Sequence, residues 1–195
     1  MKSRKIVKKT PILKSYQPQR QGFGRKFKIM TYYKLYTSPI GKILLTTDGE
    51  YLTGLQFVSD ADASKTSPNL TLKDNNVFNL TSKWLDIYFG GNQPNFTPKY
   101  KLNNLSNFSR LVIAEILAIP YGKTTTYGEI AKRVAAKLNI KNMSAQAVGG
   151  AAHRNPICII IPCHRVIGSH NKLTGYGGGL DKKIALLNYE GHKLS

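Results

Sequence analysis

Short apolar runs alternate with turn sequences near the start of the chain, and this pattern constrains the fold more than any other. Runs of β-branched, aromatic and aliphatic residues occupy 32–36, 42–47 and 52–58. Turn-forming residues around Pro39 and Gly49 separate these runs. Apolar runs of this length, joined by such turns, predict a meander of short antiparallel strands.

The pattern then changes from strand spacing to helix spacing. Residues 59–69 are polar and predict a loop, whereas from Val77 to Phe89 apolar residues recur every three or four positions. This recurrence predicts an amphipathic helix. Residues 92–104 contain two prolines and are interpreted as a linker. We therefore predict a small N-terminal α/β domain over 30–103 and a second domain over 104–195.

Helices dominate the prediction for the second domain. One is predicted over 108–117, with Ser106 or Asn107 as its N-cap. Thr126 and Glu129 lie three residues apart in a capping-box pattern. In such a pattern each side chain bonds the backbone N–H of the other residue, so a further helix is predicted to start here.

A helix-turn-helix is the predicted centre of this domain. The helix that starts at Thr126 reaches Leu138, and another is predicted from Ser144 to Arg154 after a brief turn. The apolar run 157–161 predicts a short buried strand, and residues 181–189 predict a last helix. The predicted fold class is therefore α/β: a small N-terminal antiparallel-sheet α/β domain, followed by a mainly helical winged helix-turn-helix domain.

The chain is strongly basic, and its charge is unevenly distributed. Of the formal net charge of +19, residues 1–29 contribute +10, residues 30–103 contribute +1 and residues 104–195 contribute +8. A protein this basic is expected to bind a polyanion, with nucleic acid the first expectation and an anionic membrane surface the second. No apolar stretch approaches the roughly 18 residues needed to span a bilayer, so an integral membrane protein is not expected.

Residues 1–29 are predicted to form a flexible basic tail. They contain ten lysines and arginines and no acidic residue, and they lack the apolar centre of a secretory signal. Two explanations stay open: non-specific attraction to DNA, or a leader placed before a start at Met30. The charge of residues 104–195 is therefore the stronger indication of a nucleic-acid partner.

The two cysteines, Cys158 and Cys163, lie five positions apart. They are too few for a disulfide scaffold or an all-cysteine zinc site, so an unpaired nucleophile in a reducing compartment is expected. His164 follows Cys163, but adjacent side chains on an extended segment point in opposite directions, so a tight turn or a bridging water would be required to join them. Taken alone, the pair is also consistent with an inert cysteine and a surface histidine. Cys158, within the apolar run, is interpreted as inert.

Residues 155–166, with the sequence NPICIIIPCHRV, resemble the active-site signature of the O6-alkylguanine-DNA alkyltransferases, also called methylated-DNA–protein-cysteine methyltransferases. The flanking segments 147–151 and 175–180 match that family as well, and the similarity extends from about Tyr32 to Gly191. The resemblance implies DNA repair by direct reversal, in which one alkyl group moves irreversibly from the O6 oxygen of guanine to a cysteine. The protein is consumed, and no cofactor is implied.

The resemblance implies roles for four residues of the chemistry. Cys163 matches the alkyl acceptor, and His164 matches the residue that removes its proton through a bound water. Glu190 matches the acid that orients and charges that histidine, which is the logic of a catalytic triad with a water inserted. Asn155 matches the asparagine that braces the turn beside the site. The four histidines of the chain show no metal-ligand spacing, so no metal site is expected.

The resemblance also implies a double-stranded DNA partner that contains O6-alkylguanine. The base must be flipped out of the duplex, and the helix 145–154 is expected to enter the minor groove. Each of its two central glycines lowers the stability of the helix by about 1 kcal/mol relative to alanine. Either close approach of DNA or close helix packing would explain why glycine is present. The residues expected at the DNA are Tyr127, Gln146, Ala147, Gly149, Gly150, Ser109, Ser169 and Arg165. Tyr176 and Gly177 are expected to wall the base pocket.

Gln146 departs from the family pattern. Many members carry an arginine at this position, which enters the stack in place of the flipped base. Glutamine can still hydrogen-bond the orphaned cytosine, but it is shorter and uncharged. DNA affinity and base flipping are therefore the properties that this substitution is expected to affect, rather than the chemistry at Cys163.

Two other functions stay open at this stage. An alkyltransferase-like protein would flag lesions without repairing them, but those proteins lack the acceptor cysteine that Cys163 matches. A cysteine hydrolase using Cys163 and His164 would turn over many times and need no DNA. We expect a monomer that is cytoplasmic, and nucleoid-associated when bound to DNA, if the source is prokaryotic. The sequence does not choose between O6-alkylguanine and O4-alkylthymine, and it does not set the range of alkyl sizes.

Overall fold

The structure is a computed structural model that describes residues 31–64, 70–72 and 75–194. The predicted basic tail, 1–29, lies outside the described residues, as do residues 65–69 of the predicted loop. In the part of the chain that is described, no helix has both the length and the apolar content needed to cross a bilayer.

The N-terminal sheet is built on a three-stranded antiparallel meander, as predicted. It contains β1 (Thr31–Ser38), β2 (Gly41–Thr47) and β3 (Leu52–Phe57). A short fourth strand, β4 (Leu70–Leu72), pairs in parallel with β1, so the strand order is β3-β2-β1-β4. A short helix, α1 (Asp60–Ser64), lies where the sequence predicted only a loop.

Helix α2 (Asn76–Phe89) packs against this sheet. Asn75 caps it by accepting a hydrogen bond from the Phe78 backbone, and the chain leaves the helix at Gly90. Its buried face carries aromatic side chains at helical spacing, among them Trp84 and Tyr88. These side chains join one hydrophobic core with residues from the second half of the chain.

The second half is mainly helical. Its helices are α3 (Asn107–Leu117), α4 (Tyr127–Leu138), α5 (Ala145–His153) and α6 (Leu180–Tyr189). Helices α4 and α5 form the predicted helix-turn-helix, and both pack against α3. The strands that accompany them are only two residues long: β5 (Thr125–Thr126) pairs in parallel with β6 (Val166–Ile167).

Local hydrogen bonds account for where two of these helices begin. Ser106, rather than Asn107, caps α3, since its hydroxyl accepts from Ser109 N at 3.1 Å. Thr126 and Glu129 form the capping box at the start of α4, with each side chain bonded to the backbone of the other residue. Both arrangements satisfy backbone N–H groups that the first turn of a helix leaves free.

The apolar run 157–161 is not a strand, which corrects the prediction. It is buried as expected, but its backbone turns back on itself, with Ile161 N donating to Ile157 O at 3.0 Å. Ile159 adopts a positive φ of 68°, which a strand does not contain. Contact with the edge of β3 is limited to an isolated bridge, in which Cys158 N donates to Leu55 O at 2.8 Å and Leu55 N donates to Pro156 O at 2.9 Å. A run of isoleucines is equally suited to a buried turn and a buried strand, so the pattern alone misleads.

The cap of α3 gives a test of the fold that is remote from the chemistry. Ser106→Ala is expected to lower the free energy of unfolding by about 1 kcal/mol, because the N–H of Ser109 loses its partner. Ser106→Asp keeps an acceptor at the same place and is expected to retain wild-type stability. Urea denaturation of the three proteins measures the difference; equal loss in both variants would show that the cap is not the cause.

Candidate active site

Cys163 is held at a tight turn rather than at the end of a strand. It begins a single turn of 3₁₀-helix, Cys163–Arg165, and its side chain is buried. The Asn155 amide donates to the Cys163 sulfur at 3.1 Å and to Ile161 O at 2.9 Å, while its oxygen accepts from Ile157 N at 3.0 Å. One asparagine therefore spans the whole turn and contacts the thiol that the turn presents.

Glu190 forms the centre of the polar network behind this turn. Its Oε1 lies 2.7 Å from His164 Nε2, and its Oε2 accepts from Arg165 Nε at 2.7 Å. Arg165 Nη2 donates to Oε1 at 2.9 Å, and Gly122 N donates to Oε2 at 3.0 Å. Burial alone would raise the pKa of Glu190, but the hydrogen bonds from His164 and Arg165 lower it to about 2. The carboxylate is therefore ionised at any pH at which the protein works.

Glycine is required at position 122 because the backbone there approaches Glu190 closely. Its φ is +69°, and a Cβ at this position would lie 3.0 Å from the Glu190 carbonyl oxygen. Both the backbone conformation and the contact exclude a larger residue without a local shift. The loop that contains Gly122 can thus bring its N–H to the carboxylate.

His164 is fully buried, and its two ring nitrogens have different surroundings. Nε2 faces the Glu190 carboxylate, which only accepts hydrogen bonds, so Nε2 carries the proton. Nδ1 has no hydrogen-bond partner among the described residues. Burial lowers the pKa of His164, although Glu190 acts in the opposite direction. A neutral imidazole in this tautomer offers Nδ1 as a base, on the residue that directly follows Cys163.

Cys158 is buried beside the active thiol and affects its acidity. A hydrogen bond from the Cys158 thiol is the largest cause that lowers the pKa of Cys163, and the Asn155 amide and the charge of Lys183 add to it. The same contact, together with burial, raises the pKa of Cys158. Of the two thiols, Cys163 is therefore the one that ionises, and Cys158 remains a protonated donor.

Lys183 is a further residue of the site that the sequence analysis did not identify. It is fully buried on α6, and its ammonium group donates to Val166 O and Thr174 O, each at 2.7 Å. Burial lowers its pKa to about 8. A sequence signal does exist, because Lys183 lies three, four and seven residues before Leu186, Leu187 and Glu190, and so on the buried stripe of its helix.

A groove of about 660 Å³ runs across the face of the helix-turn-helix. Tyr127 connects it to the buried site: its hydroxyl donates to Gly175 O at 3.3 Å, and Lys183 lies 5.7 Å from its ring centre. The predicted DNA residues among those that line the groove are Tyr127, Gln146, Gly149, Gly150 and Ser169. Ala147 is exposed on the same helix.

The two residues expected to wall a base pocket lie on the loop before α6. Tyr176 is buried, and burial, followed by the charge of Cys163, raises its pKa. Its ring therefore belongs to the interior beside the two thiols. Gly177 is exposed on the same loop.

The glycines of α5 have room for a side chain. A Cβ on Gly149 would meet only the Tyr127 ring, at 3.8 Å, and one on Gly150 only the Arg154 side chain, at 3.6 Å. Both distances are ordinary van der Waals contacts. Packing within the protein therefore does not require glycine at either position.

Two residues expected at the DNA are placed elsewhere. The guanidinium of Arg165 points inward, where it binds Glu190 and donates to Ile119 O at 2.7 Å. Ser109 is buried, and its backbone N–H is already bonded to the Ser106 cap. In this arrangement neither residue is available to a phosphate. The guanidinium of Arg165 is bonded to Glu190, and the backbone N–H of Ser109 is bonded to the cap of α3.

Comparison with known proteins agrees with this geometry. Two family models match, the ribonuclease-like domain of 6-O-methylguanine DNA methyltransferase over residues 31–102 and its DNA binding domain over residues 107–192. The chain belongs to this methyltransferase family. Both halves of the described structure fall within the matched ranges.

Individual relatives in the methyltransferase family match over most of their length. The chain is 44% identical to the methylated-DNA–protein-cysteine methyltransferase of Methanosarcina acetivorans, over 82% of this chain and 98% of the relative. It is 41% identical to the enzyme of the same name from Mycobacterium leprae, over 85% and 95%. Among solved structures, OGT of Mycobacterium tuberculosis in complex with DNA superposes with a TM-score of 0.70 at 41% identity, covering 82% of this chain and 92% of that one.

The contact between the two thiols of this methyltransferase predicts a measurable effect on reactivity. Cys158→Ala is expected to raise the pKa of Cys163, because a hydrogen bond to the thiolate is lost. Iodoacetamide labelling of Cys163 at neutral pH should then slow by about threefold, and the difference should vanish at a pH where Cys163 is fully ionised in both proteins.

Cys158→Ser is the matched control, because its hydroxyl can still donate. Peptide mapping separates labelling of Cys163 from labelling of Cys158 in the wild-type protein. If the alanine and serine variants label at the same rate, the Cys158 hydrogen bond does not set the reactivity of Cys163.

Proposed function

We propose that this protein repairs DNA by direct reversal, transferring the alkyl group from O6-alkylguanine in double-stranded DNA to Cys163, one group per protein molecule. The observation that carries the proposal is the arrangement around one sulfur. Asn155 donates to Cys163, and the next residue in the chain, His164, is bonded to the buried Glu190. Family membership and the relatives' shared name, methylated-DNA–protein-cysteine methyltransferase, support the same reaction.

The proposed reaction begins with the proton of Cys163. It passes to Nδ1 of His164 through a water, while Glu190 stabilises the imidazolium that results. The thiolate sulfur then attacks the alkyl carbon in line. A sulfur–carbon bond forms as the carbon–O6 bond breaks, and guanine leaves with the bonding pair and takes up the proton that His164 holds. The thioether product is stable, so the protein is spent after one transfer.

DNA is proposed to bind along the groove of the helix-turn-helix. The exposed N-terminal part of α5 presents Gln146 and Ala147, and the small residues Gly149 and Gly150 keep its face slim. Tyr127 and Ser169 line the same groove. A flipped base is required, because the O6 alkyl group cannot reach a buried sulfur from within the duplex. That a solved relative, at 41% identity, is in complex with DNA supports this assignment.

Several finer proposals go with this function. The chain is proposed to divide into an N-terminal domain over 30–103 and a DNA-binding and catalytic domain over 104–195. It is proposed to act as a monomer in the cytoplasm, associated with the nucleoid when bound to DNA, if its source is prokaryotic. The hydrolase alternative differs in one property, since a hydrolase would form more product than there is protein.

Intact-protein mass spectrometry tests the reaction directly. After incubation with a duplex that contains O6-methylguanine, the wild-type protein should gain the mass of one methylene group, because methyl replaces the thiol proton. Cys163→Ser should gain nothing, since a neutral hydroxyl is a far weaker nucleophile than a thiolate, and it should keep wild-type DNA affinity.

Stoichiometry distinguishes repair from hydrolysis in the same experiment. Demethylated guanine should not exceed the amount of protein added, whereas continued product formation would favour the hydrolase. Cys158→Ala is the control for the acceptor. If it loses methyl uptake and Cys163→Ser keeps it, the assignment of the acceptor is wrong.

Gln146→Arg is expected to tighten binding to a duplex that carries the lesion by about 1 kcal/mol, the scale of one added charge-assisted hydrogen bond. Arginine reaches further into the gap left by a flipped base, and it adds a cation near the phosphates. Reaction with free O6-benzylguanine should hardly change, because no duplex must be opened. The measurement is the ratio of second-order rate constants, duplex over free base; an unchanged or lower ratio in the arginine variant contradicts a base-replacing role for residue 146.

A further inference from the structure

Tyr88 belongs to the helix that covers the N-terminal sheet, yet its hydroxyl lies in the catalytic network of the other half of the chain. It donates to Glu190 Oε1 at 2.9 Å and lies 3.4 Å from His164 Nε2. It is also 3.3 Å from Leu186 O. A hydroxyl has one proton to donate, and the shorter contact to a charged oxygen takes it in preference to the neutral carbonyl.

The position of this hydroxyl is fixed by the packing of its ring. Tyr88 is fully buried, and its ring stacks on Trp84 with a centroid distance of 5.5 Å and an interplanar angle of 8°. Phe89 and Tyr121 meet the ring edge-on, at 5.5 Å and 6.2 Å. Because the Tyr88 ring is enclosed on several sides, its hydroxyl is held in one position. A side chain can orient a neighbouring group only if it is itself held in place.

The hydroxyl remains a donor at every relevant pH. Burial, followed by the charge of Glu190, raises the pKa of Tyr88 far above its ordinary range. Oε1 of Glu190 therefore always has three donors: His164 Nε2, Arg165 Nη2 and the Tyr88 hydroxyl. These contacts hold the oxygen in one position relative to the imidazole.

We propose that Tyr88 is a positioning residue for alkyl transfer: its hydroxyl fixes the Glu190 oxygen that holds His164, and so keeps Nδ1 of His164 neutral and directed to accept the Cys163 proton. The inference rests on the proposed function and adds to it a contribution from the N-terminal half of the chain. Tyr88 acts through Glu190 and His164, without contact to the reacting atoms.

The sign of the pH effect follows from the charge on Glu190. Each donor to the carboxylate takes up part of its negative charge, so loss of the Tyr88 hydroxyl leaves more charge to stabilise the imidazolium. The pKa of His164 should therefore rise. Arg165 and Lys183, which lower it, stay in place, and the neighbouring Cys163 and Tyr121 are unchanged. With a higher pKa, the histidine is protonated up to a higher pH and is lost as a base there.

Tyr88→Phe tests the proposal, because it removes the hydroxyl and keeps the ring. The second-order rate of methyl transfer from an O6-methylguanine duplex should fall about tenfold at neutral pH, a part of the 10²- to 10⁴-fold that a general base supplies. The acid limb of the pH–rate profile should move to higher pH, and DNA affinity should not change.

Tyr121→Phe is the matched control. Its hydroxyl lies in the same cluster and donates to a backbone carbonyl, Tyr189 O, at 2.9 Å, without a bond to Glu190. This variant should stay within about twofold of wild type with an unshifted profile, since it leaves the general base intact. Equal slowing in both variants, or a Tyr88→Phe protein with the wild-type rate and profile, overturns the proposal.

An NMR titration of the His164 imidazole separates this inference from the proposed function. It is made on the unreacted full-length proteins, without DNA, below the unfolding transition of each variant. A higher histidine pKa in Tyr88→Phe than in wild type and Tyr121→Phe is expected, and an equal or lower pKa overturns the proposal. If wild type takes up no methyl, the proposed function fails, and the titration still decides what Tyr88 does to His164.

Discussion

A single buried carboxylate determines how the two halves of this molecule meet. Glu190 has none of its side chain exposed, and removing such a charge from water costs several kcal/mol unless other groups replace the water. The replacements come from separate parts of the chain: Tyr88 from the helix on the sheet, Gly122 from the loop before β5, and His164 with Arg165 from the 3₁₀ turn. Every one of these segments must therefore be in place before the carboxylate is stable.

The thiol site depends on this network because its parts are neighbours in sequence. His164 and Arg165, which bind Glu190, directly follow Cys163 in the same turn. The other end of the turn is tied by Asn155 and by the contact of Cys158 N with the edge of β3. The sulfur is thus positioned from both sides by hydrogen bonds, and its reactivity is set by fixed donors rather than by solvent.

How much of the fold and of the site could be predicted from the sequence depends on how far apart along the chain the interacting residues lie. The meander, the capping box of Thr126 and Glu129, and the helix-turn-helix follow from local patterns and were predicted. The roles of His164 and Glu190 came from family resemblance, since no spacing rule joins residues that lie 26 positions apart. Tyr88 was placed on its helix, but Glu190 lies 102 positions later, and only the packing of the two halves brings them together.

Two other predictions failed for different physical reasons. The run 157–161 has the composition of a buried strand, and nothing in that composition indicates the positive φ of Ile159. Arg165 was among the residues expected at the DNA, yet a buried carboxylate binds its guanidinium at two atoms. The role of a cationic residue next to an active site can therefore be assigned only when the buried acids near it are known.

The buried charge of Lys183 favours the ionised form of Cys163. Glu190 is paired with Arg165, and the remaining buried cation, Lys183, has its pKa held up by the charge of Cys163 against the effect of burial. In the proposed reaction the thiolate becomes a neutral thioether, so Lys183 loses the charge that favours its protonated form. The departing guanine requires one proton, and the imidazolium of His164, which took the proton of Cys163 and whose pKa is lowered by burial, can return it. The proton that leaves Cys163 at the start is thus the one that guanine takes up, and alkyl transfer leaves the net charge of the buried site unchanged.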